Sequence, residues 1–141
     1  MNLGANTPPD RLVRLIEDHR RLDDLFGSFL AAAAAGDRDA ARSAIAEFDR
    51  ELRRHTAIEE EEIYPQAPDG KLVPVPGEGH RDRLAREMRL EHVQVRELSG
   101  MLDRLLGAGD LESARRLAGS LARRWDSHTT REEKDVFASA P

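Results

Sequence analysis

"HTAIEEEEIY" at residues 55–64 and "HTTREEKDVF" at residues 128–137 share one pattern: H-T-x-x-E-E, two further residues, then an aliphatic-aromatic pair. They lie 128 − 55 = 73 residues apart. The same shift, without a gap, carries Gly36-Asp37 onto Gly109-Asp110, Ala41-Arg42 onto Ala114-Arg115, Phe48 onto Leu121 and Leu52 onto Trp125. A gapless match of this length reads as a duplicated unit. Its internal periodicity says what the unit is.

Apolar residues recur at spacings of three and four in each half, the period of an amphipathic helix. Leu12, Leu15, Ile16, Leu22, Phe26, Phe29 and Leu30 mark the first stripe, and Ala41, Ile45, Phe48 and Leu52 the second. Leu84, Met88, Val95, Leu98, Leu102 and Leu105 mark the third, and Leu117, Leu121, Trp125 and Val136 the fourth. "TPPD" at 7–10 reads as a helix start with Thr7 as N-cap and Pro8 in the first turn. Each Gly-Asp pair, at 36–37 and 109–110, ends one helix with glycine and caps the next with aspartate. Each half is thus a helical hairpin, with helices expected at about 8–35, 38–64, 80–107 and 111–137. Residues 65–79, "PQAPDGKLVPVPGEG", hold four prolines and three glycines and read as the loop between the halves. Two hairpins, each with one apolar stripe, bury those stripes against each other. The expected fold is all-α, an up-down-up-down four-helix bundle, one domain over residues 1–141.

Composition agrees and narrows the function. Charged residues make up 35% and aromatic residues 4%, a balance suited to helices with solvated faces. A net charge of −5 and a pI near 5.6 argue against nucleic-acid and anionic-membrane surfaces, which need a clustered basic face. With no cysteine, disulfides, thiol catalysis and thiolate metal sites are excluded, so any metal must be held by nitrogen and oxygen. No apolar run approaches a membrane span and no signal-peptide pattern opens the chain, so a cytoplasmic location is expected.

Four of the five histidines obey the repeat: His19 maps onto His92 and His55 onto His128, one per helix, each on its apolar stripe. His19 and His92 each lie 17 residues before their turn glycine, and His55 and His128 each 19 after it. At about 1.5 Å of rise per residue, the paired rings differ in level by only about 3 Å. Glu59 and Glu132, four residues beyond His55 and His128, share their face. Six side chains therefore converge on one layer. A lone core histidine is more often a hydrogen-bonded structural residue, and imidazolium-glutamate pairing would satisfy two rings. It would leave two rings over, whereas cation coordination accounts for all six. Four imidazoles are too nitrogen-rich for calcium or magnesium, and six ligands are too many for closed tetrahedral zinc. One octahedral ion would use the set. Two ions bridged by the glutamates and capped by two histidines each match its two-fold symmetry better, with iron the first expectation and manganese or zinc as substitutes.

These residues resemble the hemerythrin-like, HHE cation-binding domains over about residues 8–138. The resemblance rests on one His in helix one, H-x-x-x-E-E-x-x-I-Y-P in helix two, E-H in helix three and H-x-x-x-E-E in helix four. It implies a bundle with a non-heme di-iron centre, oxo- or hydroxo-bridged, that meets O₂, peroxide or nitric oxide. By position it makes His19, His55, Glu59, His92, His128 and Glu132 the ligands, with the two glutamates bridging. The oxygen-carrying members have H-x-x-x-H in helix three, but Met88 and Arg96 stand four residues either side of His92. Those members also have H-x-x-x-x-D in helix four, where this chain fits with Glu132 at the fourth position. With one histidine fewer, the site should be more open, which points from oxygen transport toward catalase- or peroxidase-like turnover, or toward iron and redox sensing. A metal-free bundle used only for assembly is the third reading, disfavoured by the buried glutamates.

Expectations for the neighbours follow from position. Asp18 and Glu91 either accept from imidazole N–H groups or are solvated, while Glu60 and Glu133 face outward, with Glu133 a reserve ligand. Asp23, four residues after His19, is within reach of the site, with pairing to an arginine the first expectation. Tyr64 and Phe137 pack the bundle end, and Tyr64 has a hydrogen bond near the centre within reach. His80 is exposed, and Trp125 is core, one turn below His128.

Overall fold

The computed structural model describes residues 8–64, 74 and 76–139. Thr7 and most of the loop at 65–79 lie outside the described residues. Four helices dominate: α1 (Pro8–Ala34), α2 (Arg38–Glu62), α3 (His80–Gly107) and α4 (Leu111–Arg131). There is no strand among the described residues. Each helix packs on its chain neighbours and α4 closes back on α1, so the helices form an antiparallel four-helix bundle.

The two hairpin turns are built alike. Gly36 and Gly109 adopt φ of 74° and 80°, the left-handed region that ends a helix at low cost only for glycine. Asp37 and Asp110 then accept from Ala40 N–H at 3.1 Å and Ser113 N–H at 3.0 Å, satisfying donors that the new helix leaves unpaired. The repeat extends to the outer corners. The guanidinium of Arg115 donates to the carbonyl of Ala33 at the end of α1, and that of its counterpart Arg42 lies over Gly107 at the end of α3. A cation at a helix C-terminus meets the negative end of the dipole.

The core is split in two. Phe26, Phe29, Ile45, Phe48, Leu102, Leu121 and Trp125 fill the end near the hairpin turns, and Leu12, Leu15, Tyr64, Met88, Val136 and Phe137 fill the other. Full burial of each such large side chain contributes roughly 1.5–3 kcal/mol. Leu30, placed on the first stripe, is instead 45% exposed, because the buried face of α1 runs through Phe26, Phe29 and Ala33 and Leu30 lies about 100° round the helix from Phe29. Between the two apolar clusters lies a polar layer, and every helix crosses it at a histidine.

The end of α4 departs from the expected regular helix. After Arg131 the chain widens into a π-helical turn, Glu132–Val136, and tightens into a 3₁₀ turn, Phe137–Ser139. The N–H of Phe137 reaches the carbonyl of Glu132, five residues back. At the end of α2, Tyr64 N–H makes the same five-residue bond to Glu59 at 3.0 Å. Both glutamates of the layer thus sit at the mouth of a widened turn, a feature that recurs at functional sites.

Candidate metal centre

His19, His55, His92 and His128 are each at most 1% exposed, and Glu59 and Glu132 are fully buried. The six fall into two groups, His19, His55, Glu59 and Glu132, and Glu59, His92, His128 and Glu132. Within each group the four donor atoms all lie within 4.8 Å of one another. Both glutamates belong to both groups, and each presents a different oxygen to each. Glu59 Oε2 lies 3.1 Å from His55 Nε2, and its Oε1 lies 3.1 Å from His92 Nε2. Glu132 Oε1 lies 2.9 Å from His19 Nε2, and its Oε2 lies 3.4 Å from His128 Nε2.

The outer ring nitrogens are fixed by a second set of acids. The Nδ1–H groups donate to Glu133 from His19 at 2.7 Å, to Asp18 from His55 at 3.2 Å, to Glu60 from His92 at 2.8 Å and to Glu91 from His128 at 2.8 Å. A carboxylate only accepts, so each of these bonds places a proton on Nδ1 and turns Nε2 inward. The repeat holds here too, because Asp18 maps onto Glu91 and Glu60 onto Glu133. Arginines brace three of the four: Arg21 on Asp18 at 2.8 Å, Arg96 on Glu60 at 2.9 Å and Arg131 on Glu91 at 2.9 Å.

Two expectations are corrected by this ring. Glu60 and Glu133 do not face outward and belong to no inner group. The residue after an inward glutamate lies about 100° further round the helix, as a 3.6-residue turn requires, and here that direction is the neighbouring helix's histidine rather than solvent. Asp23 does not pair with an arginine; it accepts from Trp125 Nε1 at 2.8 Å. Asp18 and Glu91 take the accepting role, Tyr64 does bond at the centre, and His80 is exposed. Arg96 turns away from the inner layer to bond Glu60 and Thr56 Oγ1.

Trp125 forms the floor, its ring 5.6 Å from that of His19, 6.5 Å from His55 and 6.0 Å from His128. On the opposite side Phe137 stacks on His19 at 5.8 Å, and Tyr64 donates to Glu132 Oε2 at 2.6 Å.

Charge in the layer follows from these contacts. Burial works against charge on His19, but Glu132 and Glu59 outweigh it and raise the ring to about 10. Against burial, His92 is raised by Glu132, Glu59 and Glu60, and His128 by Glu132 and Glu91. Burial and the neighbouring Glu132 charge push Glu59 up, yet His19, His55 and His92 bring it below the usual range, while Glu132 is held well below it, against burial, by His128, His19 and His92. Burial opposes ionisation of Glu60 as well, but His92 and Arg96 pull it to about 2. The Tyr64 hydroxyl is held protonated by burial and by the Glu132 and Glu59 charges, so it stays a donor.

Charge attraction without aligned hydrogen bonding is the deciding feature. Among the described residues, the Nε2 atoms of all four histidines, both oxygens of Glu59 and Oε1 of Glu132 are buried with no hydrogen-bond partner. These atoms face one another as ion pairs at 2.9 to 3.6 Å without aligned hydrogen bonds, so seven polar atoms converge on one small volume with their hydrogen-bonding capacity unused. Two nitrogens and two carboxylate oxygens per group, oriented by acids behind the rings, fit a divalent transition-metal cation.

The chain matches the family model of the hemerythrin HHE cation binding domain over residues 11–140. It belongs to that family. No curated protein and no solved structure matches significantly. Domains of this family bind metal cations, and the His/Glu layer of this hemerythrin-like chain is a place that can hold them. Among the described residues no helix is long and apolar enough to cross a membrane.

Proposed function

We propose that the layer is a di-iron centre that binds or reduces a small oxidant, O₂, peroxide or nitric oxide, in a cytoplasmic response to oxidative or nitrosative stress. His19, His55, Glu59 and Glu132 hold one ion, and Glu59, His92, His128 and Glu132 hold the other. The convergence of seven buried, unpartnered donor atoms carries this reading. Bound iron would supply the electron transfer. The chain supplies the rest: Nδ1 bonds that orient the rings, Trp125 and Phe137 that keep water from two sides, and a Tyr64 hydroxyl that keeps its proton beside Glu132. Iron analysis of protein from iron-supplemented culture tests it, with about two ions per chain expected. Less than one iron per chain, with no charge-transfer absorption in the near ultraviolet and no response to peroxide, would refute it.

A sensor without turnover is the alternative, and one observation favours it. Tyr64 bonds Glu132, and Arg89 holds the carbonyls of Glu60 and Tyr64 at 3.4 and 3.3 Å, so the chain entering segment 65–73 is anchored on the layer. Sensing predicts that protease cleavage within 65–73 differs between apo, reduced and oxidised protein. Catalatic turnover instead predicts O₂ release from peroxide that is lost in His55→Ala and His128→Ala.

A further inference from the structure

The duplication makes the two cation positions nearly identical, and one atom separates them. The position formed by His19 and His55 is offered Glu59 Oε2 and Glu132 Oε1, neither of which has a hydrogen-bond partner. The position formed by His92 and His128 is offered Glu59 Oε1, also unpartnered, and Glu132 Oε2. That last oxygen accepts from Tyr64 at 2.6 Å, a short contact of the charge-assisted kind. The repeat places Phe137 opposite Tyr64, and phenylalanine has no hydroxyl to give Glu59.

Resting on the two-cation reading above, we propose that Tyr64 makes the positions unequal, so that the His19/His55 position is the tighter and fills first. The phenol draws charge from Oε2, the oxygen that faces His92 and His128, and so weakens it as a donor, while Oε1, 2.9 Å from His19 Nε2, carries no such bond. Tyr64 is a positioning residue that acts through Glu132. A two-ion centre with unequal affinities can keep one cation permanently while the second exchanges.

Anaerobic titration with cobalt(II) against a competing chelator, followed by visible absorption, tests the assignment. His128→Ala leaves the His19/His55 position intact and His55→Ala leaves the other. The first variant should bind cobalt about tenfold more tightly than the second, the ratio expected when one charged hydrogen bond is at stake. Adding Tyr64→Phe to both should bring their affinities within about twofold, because that bond is then gone from both. Should either histidine variant lose its helical circular dichroism, stepwise titration of the full site serves instead: two separated steps in the native chain, merging in Tyr64→Phe. Equal affinities in the two single-position variants, or an inequality that survives Tyr64→Phe, would overturn the proposal while leaving the cation centre in place. Binding of less than one cobalt per native chain would remove the centre itself.

Discussion

The two halves of the bundle agree wherever a cation would be touched and differ just outside. His19 and His92, His55 and His128, Glu59 and Glu132, Asp18 and Glu91, and Glu60 and Glu133 all correspond, and the Nδ1 bonds repeat with them. The differences lie one layer out. Trp125 stands where the first half has Leu52, Tyr64 where the second has Phe137, and Arg96 where the first has Asp23. A duplicated hairpin supplies half a site twice, and its two-fold arrangement needs matching donors. The floor and the rim need not match, so they are where the halves acquire separate properties.

The floor should give the largest effect. Trp125→Ala removes a side chain that is 4% exposed, the ring beneath three histidines and the donor to Asp23. A loss of about 3–5 kcal/mol in urea unfolding is expected, with the histidine layer disordered in NMR spectra. Leu52→Ala, at the matching position, removes less surface and no hydrogen bond, so its cost should be nearer about 2–3 kcal/mol. Equal costs would mean that the floor is shared symmetrically after all.

The ligand layer comes next. A divalent cation at 100 to 1,000 times its dissociation constant should stabilise the fold by about 3–4 kcal/mol, read as a rise in melting temperature that EDTA reverses. Since Glu59 and Glu132 face both groups, Glu59→Gln and Glu132→Gln should each abolish both halves of that gain. The gain should also depend on pH. Without a cation, His19 keeps its proton up to about 10, so its contribution to stability is full below the unfolded value and is lost as pH rises through about 10. A cation needs that imidazole neutral, so binding releases protons, and the affinity measured by calorimetry should rise from pH 6 to pH 8.

The outer acids distinguish the halves more finely. Glu60 is braced by Arg96 and its side chain is 20% exposed, whereas Glu133 has no arginine ion pair among the described residues and its side chain is 37% exposed. Outer-ring substitutions typically cost about 10–100-fold in metal affinity. Glu60→Gln should fall at the upper end, because it also leaves the Arg96 guanidinium without its carboxylate, and Glu133→Gln at the lower. Reversal of that order would show that exposure does not decide the strength of the acid behind the ring.

What the sequence made legible was what the duplication wrote twice. Each histidine taken singly is ambiguous, but the shift that maps His19 and His55 onto His92 and His128 fixes their helices, faces and levels together, and Glu59 and Glu132 follow by helical spacing. The four-helix class was legible from the same stripes and turns. The direction of Glu60 and Glu133 is not legible, although the shift relates them, because a charged residue beside a buried one usually points to water and only the neighbouring helix's position says otherwise. The widened turn at Glu132–Val136 has no glycine or proline to announce it. Tyr64 sits beside Pro65, at the edge of the loop, where helical periodicity no longer says which way a ring turns.

The smallest effect tests the duplication where it is most exact. Gly36 and Gly109 both have positive φ, at 74° and 80°, and an added Cβ at either would meet nothing within 4 Å. Steric contact therefore cannot distinguish Gly36→Ala from Gly109→Ala. Only the backbone conformation, unfavourable for a residue with a side chain, opposes the substitution, and it should cost each variant about 1 kcal/mol. Chemical denaturation should give two equal losses, and any departure from additivity in the double variant reports the Arg115 and Arg42 contacts that link the two corners. A cost confined to one turn would mean that the two hairpins, alike in geometry, do not contribute alike to the stability of the bundle.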